Sequence, residues 1–255
     1  MPAGITISLM RLAKKIAIIT GGGSGIGKAI AVAFVREGAS VVIAGRDSIK
    51  LEAAVRAISA DCLAVAADVS NPTDAQKLVA AAMDRFKRID ILVNNAAVLL
   101  PGTAESLSEQ DFDQTFNINV RGLWLLSRAV LPHMRASGGG SIINIGSVLS
   151  MVGARNRVAY SASKGAVLAM TKSMALDHAT ESIRVNCICP GIVETEMVAR
   201  FNTDEDARRQ RLALHPAGRF GQTQDVASAA VFLASDESAW ITGTAFPVDG
   251  GYSAQ

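Results

Sequence analysis

Cysteine is scarce in this chain: Cys62, Cys187 and Cys189 are the only three, too few for a disulfide framework. Cys187 and Cys189 are two residues apart in a strand-like run, so they face the same side. No further cysteine lies near them, and His133, His178 and His215 are dispersed. No metal-ligating set is therefore predicted; the expectation is small buried residues in a reduced, cytoplasmic setting. Charge of one sign is also lacking. The formal net charge is +2, with Lys and Arg scattered rather than clustered, which argues against nucleic acid as a partner. No apolar run approaches the length of a membrane span. Residues Met1 to Met10 have no basic start followed by a long apolar stretch, so no secretory signal is expected there.

What is present is apolar residue in quantity, 49% against 19% charged, sufficient for a large buried core. It is distributed in alternating short and long units. Lys15–Thr20 is a short apolar run that ends in Gly21-Gly22-Gly23-Ser24-Gly25-Ile26-Gly27, and an amphipathic helix follows to about Glu37. Ser40–Ala44 is continuously apolar and β-branched, as expected of a strand buried on both faces. The pattern repeats: helix at about Ile49–Ser59, strand at Cys62–Ala66, helix at about Thr73–Phe86, strand at Asp90–Val93. A long helix at about Gln110–Ala136, a strand at Ser141–Ile145, a helix at Val158–Ala179 and a strand at Arg184–Ile188 come next. A helix at about Asp225–Ala234 and a strand at Ala245–Val248 close the series. This alternation predicts an α/β fold, a single doubly wound, Rossmann-type parallel sheet with helices on both faces. The expected organisation is a loosely ordered extension at 1–12 and one dinucleotide-binding catalytic domain at 13–255. A polar insertion at about 191–216 is expected to cover the carboxyl ends of the strands.

Two stretches carry chemistry. The glycines of Thr20–Gly27 sit where a strand turns into a helix. There the backbone can approach a pyrophosphate and the helix N-terminus offers unpaired N–H groups. The spacing Gly21, Gly25, Gly27 is not G-x-G-x-x-G. Tyr160 and Lys164 are four residues apart on a predicted helix and share a face. A nearby lysine cation favours the phenolate and makes the phenol usable for proton transfer with an alcohol oxygen.

Thr20-Gly21-x-x-x-Gly25-Ile26-Gly27 together with Tyr160-x-x-x-Lys164 resembles the short-chain dehydrogenase/reductase superfamily, from about Lys15 to Tyr252. The wording is most similar to the branch that includes 3-oxoacyl-(acyl-carrier-protein) reductases. Other segments match in order. Asp68-Val69 resembles the pair that contacts the adenine ring. Asn94-Asn95-Ala96-Ala97 resembles the family's Asn-Asn-Ala-Gly, with Ala97 for the usual Gly. The resemblance implies a catalytic tetrad of Asn119, Ser147, Tyr160 and Lys164, with Gly146 where many relatives have a second serine. It implies cofactor contacts from Gly21, Ser24, Gly25, Ile26 and Gly27 in the first turn, and from Asn95, Ala96, Tyr160 and Lys164. Pro190, Gly191, Val193 and Thr195 match the segment that holds the nicotinamide amide. In the implied mechanism Tyr160 transfers the proton and Ser147 orients the oxygen. Lys164 lowers the Tyr160 pKa and bonds the ribose, and Asn119 holds a water that links Lys164 to solvent. A serine–histidine hydrolase reading of Ser147 is not supported: no G-x-S-x-G surrounds it.

Arg46, at the end of the second strand, follows Gly45 where an acidic residue would select a free 2′-hydroxyl. An arginine suits a 2′-phosphate, so NADP(H) is favoured over NAD(H). The function expected is reduction of a carbonyl or oxidation of a secondary alcohol, with 3-oxoacyl thioesters as one substrate class. The alternatives are an NAD-dependent dehydrogenase of a secondary alcohol, sugar or steroid-like compound, and a dinucleotide-binding protein without catalysis. Arg155 and Arg157, just before Tyr160, either attract a charged or polar carbonyl compound or are solvated. Apolar residues on several faces of the Gln110–Ala136 and Val158–Ala179 helices, with the resemblance, imply a homotetramer built from dimers.

Overall fold

The computed structural model describes residues 10–58, 62–199 and 204–255. Residues 1–9 of the expected extension, the end of the second predicted helix and residues 200–203 of the expected insertion lie outside the described residues. Met10–Leu12 belong to the body of the fold: Leu12 is fully buried and its N–H donates to the Glu37 carbonyl at 2.9 Å.

The continuous apolar runs become strands because both of their faces are covered. The strands are β1 (Ile16–Thr20), β2 (Ser40–Gly45), β3 (Cys62–Ala66), β4 (Ile91–Asn94), β5 (Gly140–Ile145), β6 (Ile183–Pro190) and β7 (Ala245–Val248). They form one seven-stranded sheet in the order β3-β2-β1-β4-β5-β6-β7, with every pairing parallel. Alternate residues serve opposite faces. On one side Ala17, Ile19, Val41 and Ile43 pack under α1 (Gly25–Arg36), α2 (Ser48–Ile58) and α9 (Thr223–Ala234). On the other, Ile18, Val42 and Leu92 pack under α3 (Pro72–Phe86), α5 (Gly122–Ala136) and α6 (Val158–His178). The architecture is the expected one: a doubly wound, Rossmann-type parallel sheet. After β3 the chain returns across β1 to start β4, so the order reverses between β1 and β4. A crevice opens there, beyond the carboxyl ends of the strands.

One predicted element is not continuous. The helix expected from Gln110 to Ala136 is α4 (Glu109–Phe116), a π-helical turn at Asn117–Arg121, and then α5. The wider turn has two physical anchors. Asn119, buried within it, bonds the backbone of Val98 in both directions. Gly122, just after it, lies so close to Val69 that a β-carbon would stand 2.8 Å from that side chain. Such single π turns recur where a helix must aim a side chain into a site.

The expected insertion carries two short helices, α7 (Glu196–Ala199) and α8 (Glu205–Ala213). Its return is held by buried His215. One ring nitrogen of His215 accepts the Ile192 N–H at 3.2 Å, and the other lies 2.9 Å from the Arg211 carbonyl.

Candidate active site

The turn after β1 is shaped by contacts that leave no room for side chains. Gly21 has φ +65°, where L-residues are strained. A β-carbon on Gly27 would lie 2.4 Å from the Gly21 carbonyl oxygen and 2.5 Å from Asn95 Nδ2. Asn95 braces the turn: its Nδ2 donates to the carbonyls of Thr20 (2.8 Å) and Gly21 (3.3 Å). Thr20 Oγ1 accepts the N–H groups of Asn95 and Ala96, both at 2.9 Å. The ends of β1 and β4 are thus laced together at the reversal point. The first turn of α1 faces the crevice with its N–H groups, a geometry suited to an anion.

From this turn a cavity of about 560 Å³ runs along the carboxyl edge of the sheet. Gly21, Ser24, Gly25, Ile26, Arg46, Asp68, Val69, Asn95 and Ala96 line it toward β2 and β3, and Ser147, Tyr160 and Lys164 line it beyond β5. Pro190, Gly191, Val193 and Thr195 form the wall contributed by β6 and the segment after it. Two of the predicted residues stand outside this lining. Gly27 is packed behind the turn. Asn119 borders a separate pocket of about 10 Å³, shared with Thr20 and Lys164, at the lower limit for a single water.

Asp68 is directed to its own loop. Its carboxylate accepts the Ser70 N–H (2.9 Å) and hydroxyl (2.7 Å). Burial alone would raise its pKa; these bonds, with the charge of Arg46, outweigh burial and lower it. The amide of Asn119 is also engaged: Oδ1 accepts the Val98 N–H at 2.8 Å, and Nδ2 donates to the Val98 carbonyl and to Ser163 Oγ, each at 3.0 Å. Its amide ties the π turn to the strand-end loop and to α6.

Burial acts on the phenol and the ammonium as well. Burial pushes the Tyr160 phenol up to about 12, against a hydrogen bond from Ser147 and the positive charge of Arg157, which both lower it. The Lys164 ammonium donates to the Ile145 carbonyl at 2.6 Å and lies 5.7 Å from the centre of the Tyr160 ring. Desolvation lowers Lys164 to about 8, opposed by Cys187 and Cys189. Those cysteines are buried on the same side of β6, with sulfurs 3.8 Å apart, as their spacing predicts. Among the described residues no group of three or more His, Cys, Asp or Glu is placed to hold a metal ion. Nor is any helix of these residues long and apolar enough to cross a membrane.

Several residues here were not legible in the sequence. A buried polar chain runs from Ser127 and Asn94 on one side of the sheet through Asn144 to Thr171 of α6, with bonds of 3.2, 2.9 and 2.9 Å. It fixes α6 against β4 and β5. Arg211 and Leu214, from α8 and its end, and Tyr252 near the end of the chain close the cavity. Arg211 and Leu214 lie in the insertion expected to cover the strand ends, whereas nothing in the sequence pointed to Tyr252.

Comparison with known proteins finds similarity over nearly the whole chain. A family model described as enoyl-(acyl carrier protein) reductase matches residues 21–253. The chain is 40% identical to 2-(R)-hydroxypropyl-CoM dehydrogenase of Xanthobacter autotrophicus, covering 94% of this chain and 99% of that one. It is 38% identical to a 3-oxoacyl-[acyl-carrier-protein] reductase of Thermotoga maritima, covering 95% and 99%. The crystal structure of levodione reductase is similar over 96% of this chain and 99% of its own, with TM-score 0.93 and 34% identity.

Proposed function

The chain belongs to the short-chain dehydrogenase/reductase family of NAD(P)-dependent oxidoreductases, and from that premise we propose that it is a carbonyl reductase that prefers NADP(H). The observation that carries this reading is one continuous cavity with a backbone anion cradle at one end and Ser147, Tyr160 and Lys164 at the other. The cradle fits a dinucleotide: Gly21, Ser24, Gly25 and Ile26 line the cavity at the start of α1, where backbone N–H groups suit a pyrophosphate, and the close packing at Gly21 and Gly27 keeps the turn tight. The residues that would hold the dinucleotide are Gly21, Ser24, Gly25 and Ile26 around the pyrophosphate, with Gly27 behind them. Asp68, Val69, Asn95 and Ala96 would hold the adenosine half, and Pro190, Gly191, Val193 and Thr195 the nicotinamide. When bound, the cofactor supplies or accepts the hydride.

The protein's part is proton placement. Tyr160 gives its phenolic proton to the carbonyl oxygen in reduction and removes it from the alcohol in oxidation. The Ser147 hydroxyl bonds the same oxygen as charge builds on it, and it already hydrogen-bonds the phenol. Lys164 is the buried cation that, once turned from the Ile145 carbonyl toward the phenol, favours the phenolate. Asn119 is a positioning residue: its bonds to Val98 and Ser163 fix the wall beside Lys164.

Arg46 lines the cavity after β2, and Gly45 before it carries no acidic group. An arginine there provides a planar set of donors for a 2′-phosphate. We read the assembly as a homo-oligomer, a dimer at least and a tetramer by expectation. Trp124 (44%) and Leu176 (81%) stay exposed on α5 and α6, apolar area of the kind a partner surface covers. Sedimentation as a monomer at micromolar concentration would contradict this.

The test of the activity is NAD(P)H oxidation with a panel of ketones and NAD(P)+ reduction with a panel of secondary alcohols, using both cofactors, in wild type and Tyr160→Phe. The variant keeps the ring and loses the proton. Turnover should fall by roughly 10²-fold or more while cofactor affinity changes little. Single-turnover rates within threefold of wild type would remove Tyr160 from the mechanism. No turnover of any compound with either cofactor would favour a binding protein without catalysis.

A further inference from the structure

Arg157 and Arg211 come from distant parts of the chain to one cavity wall. Arg157 is the capping residue just before α6, three positions ahead of Tyr160, and both line one cavity. Arg211 is in the last turn of α8, on the segment that folds back over the strand ends. Both line the cavity that holds Ser147 and Tyr160, and Arg155 lines it beside them. The surfaces between are apolar: Leu149 from the turn after Ser147, Ala154, and Leu214 just past Arg211.

This cluster is not part of the expected dinucleotide cradle. The cradle's glycine turn follows β1, and Arg46 follows β2. The arginine pair stands beyond β5, three strand spacings from β2, or about 14 Å at the usual interstrand distance. Glu196, the acidic residue nearest in sequence to α8 in the lining, forms an ion pair with Lys50 at the start of α2. The two guanidinium groups are close enough that each acts on its surroundings through charge. Burial and the Arg211 charge both depress the Arg157 guanidinium, and the Arg157 charge in turn acts on the Tyr160 phenol. Two guanidinium groups on one half-buried cavity wall present several N–H donors and positive charge toward the space that Tyr160 faces.

We propose that Arg157 and Arg211 form an anion subsite of the substrate pocket, so that the substrate is a small ketone or secondary alcohol carrying a carboxylate, sulfonate or phosphate. The apolar stretch between the arginines and Tyr160 takes the carbon chain, and the anion fixes which end of the molecule reaches the phenol. A bidentate guanidinium–oxyanion contact is directional as well as attractive. It therefore orients the reacting carbonyl in addition to binding it. This inference names the substrate class and rests on the carbonyl-reductase reading above.

The experiment compares short oxo acids with their methyl esters, acetoacetate and levulinate being the probes, by kcat/KM at fixed ionic strength with saturating cofactor. The acid should exceed its ester by tenfold or more in wild type. The ratio should fall to within threefold of unity in Arg157→Gln and in Arg211→Gln, and recover in part in Arg157→Lys. Raising salt in wild type should lower kcat/KM for the acid and leave the ester's unchanged, which needs no variant to fold. Esters equal to or better than acids in wild type, or a ratio that neither glutamine variant moves, would overturn the subsite. If no ketone oxidises either cofactor, the carbonyl-reductase reading fails. Calorimetric titration of wild type and both variants with ethanesulfonate then decides the subsite alone: saturable binding lost in the variants supports it, and its absence in wild type refutes it.

Discussion

Gly146, the residue after β5, stands where the family resemblance implies a serine, and its surroundings leave no room for a side chain. A β-carbon there would lie 2.6 Å from Cys187 Sγ, 3.0 Å from Ser150 Oγ and 3.3 Å from the Ile188 carbonyl. Ordinary carbon–sulfur packing needs about 1 Å more than the first of these. The sulfur has no space to retreat into. Cys187 is fully buried, packed among Leu123, Val167 and Cys189, with the Cys189 sulfur already 3.8 Å away. Gly146→Ala should therefore cost about 1–3 kcal/mol in overpacking. Reduced freedom of the unfolded chain returns about 0.4–1 kcal/mol, since Gly146 is not among the residues of positive φ. The net loss is about 1–2 kcal/mol, or roughly 2–8 °C in Tm for a chain of this size. Gly146→Ser should cost more, because its hydroxyl enters the same space. Cys187→Ala by itself should cost about 1 kcal/mol as a small buried deletion. In that background the penalty of either Gly146 substitution should largely vanish, giving a coupling of about 1–2 kcal/mol. The assay is denaturant unfolding of the four-variant cycle at one protein concentration, because association shifts apparent stability. A Gly146→Ala protein as stable as wild type, or a penalty identical with and without the Cys187 sulfur, would refute the argument.

The Arg46 reading predicts that Arg46→Ala weakens NADPH far more than NADH. The loss should be roughly tenfold to a hundredfold in the ratio of catalytic efficiencies, the worth of one charge-assisted bond of about 1.5–3 kcal/mol. Gly45→Asp is sterically open, since a β-carbon there meets only Leu51 at 3.6 Å; with Arg46→Ala it should turn preference to NADH. An unmoved ratio would make Arg46 a bystander. The buried Lys164 predicts an unusual pH dependence of the cofactor-free protein. Burial lowers the Lys164 pKa to about 8 from the ordinary lysine value of 10.5, so between these values the unfolded chain binds more protons and stability rises with pH. Tyr160, raised from 10.0 to about 12, acts in the opposite sense: its contribution is present below pH 10 and is lost as pH rises toward 12. Unfolding at pH 8 and pH 10 should show a gain of order 1–2 kcal/mol in wild type that is absent in Lys164→Met; equal gains in both would reject the assignment. Asn95→Ala removes two bonds that hold the glycine turn and should cost about 1–3 kcal/mol, with weaker dinucleotide binding by titration. Loss of stability with unchanged binding would separate the brace from the cradle.

What the sequence determined by itself was the alternation of strands and helices, and with it the doubly wound sheet. Period and apolarity are local properties, and a run such as Ile16–Thr20 can be satisfied only by burial on both faces. The glycine turn and the Tyr160–Lys164 spacing were legible for the same reason, because each lies within one element and its neighbour. The tertiary structure decided what depends on elements meeting across the fold. The π turn at Asn117–Arg121 follows from the contacts of Asn119 with Val98 and of Gly122 with Val69, partners too far along the chain for helical periodicity to register. The direction of the Lys164 ammonium toward Ile145, and the bonds of the Asn119 amide to Val98 and Ser163, are likewise products of packing between β5, α6 and the strand-end loop. Arg211 reaches the cavity of Tyr160 only because α8 folds back over the sheet, held at its return by His215 bonding Ile192 and Arg211. Patterns with a short period are written into the chain itself, whereas a site assembled from side chains 50 or more residues apart exists only once long-range burial has fixed their elements in space.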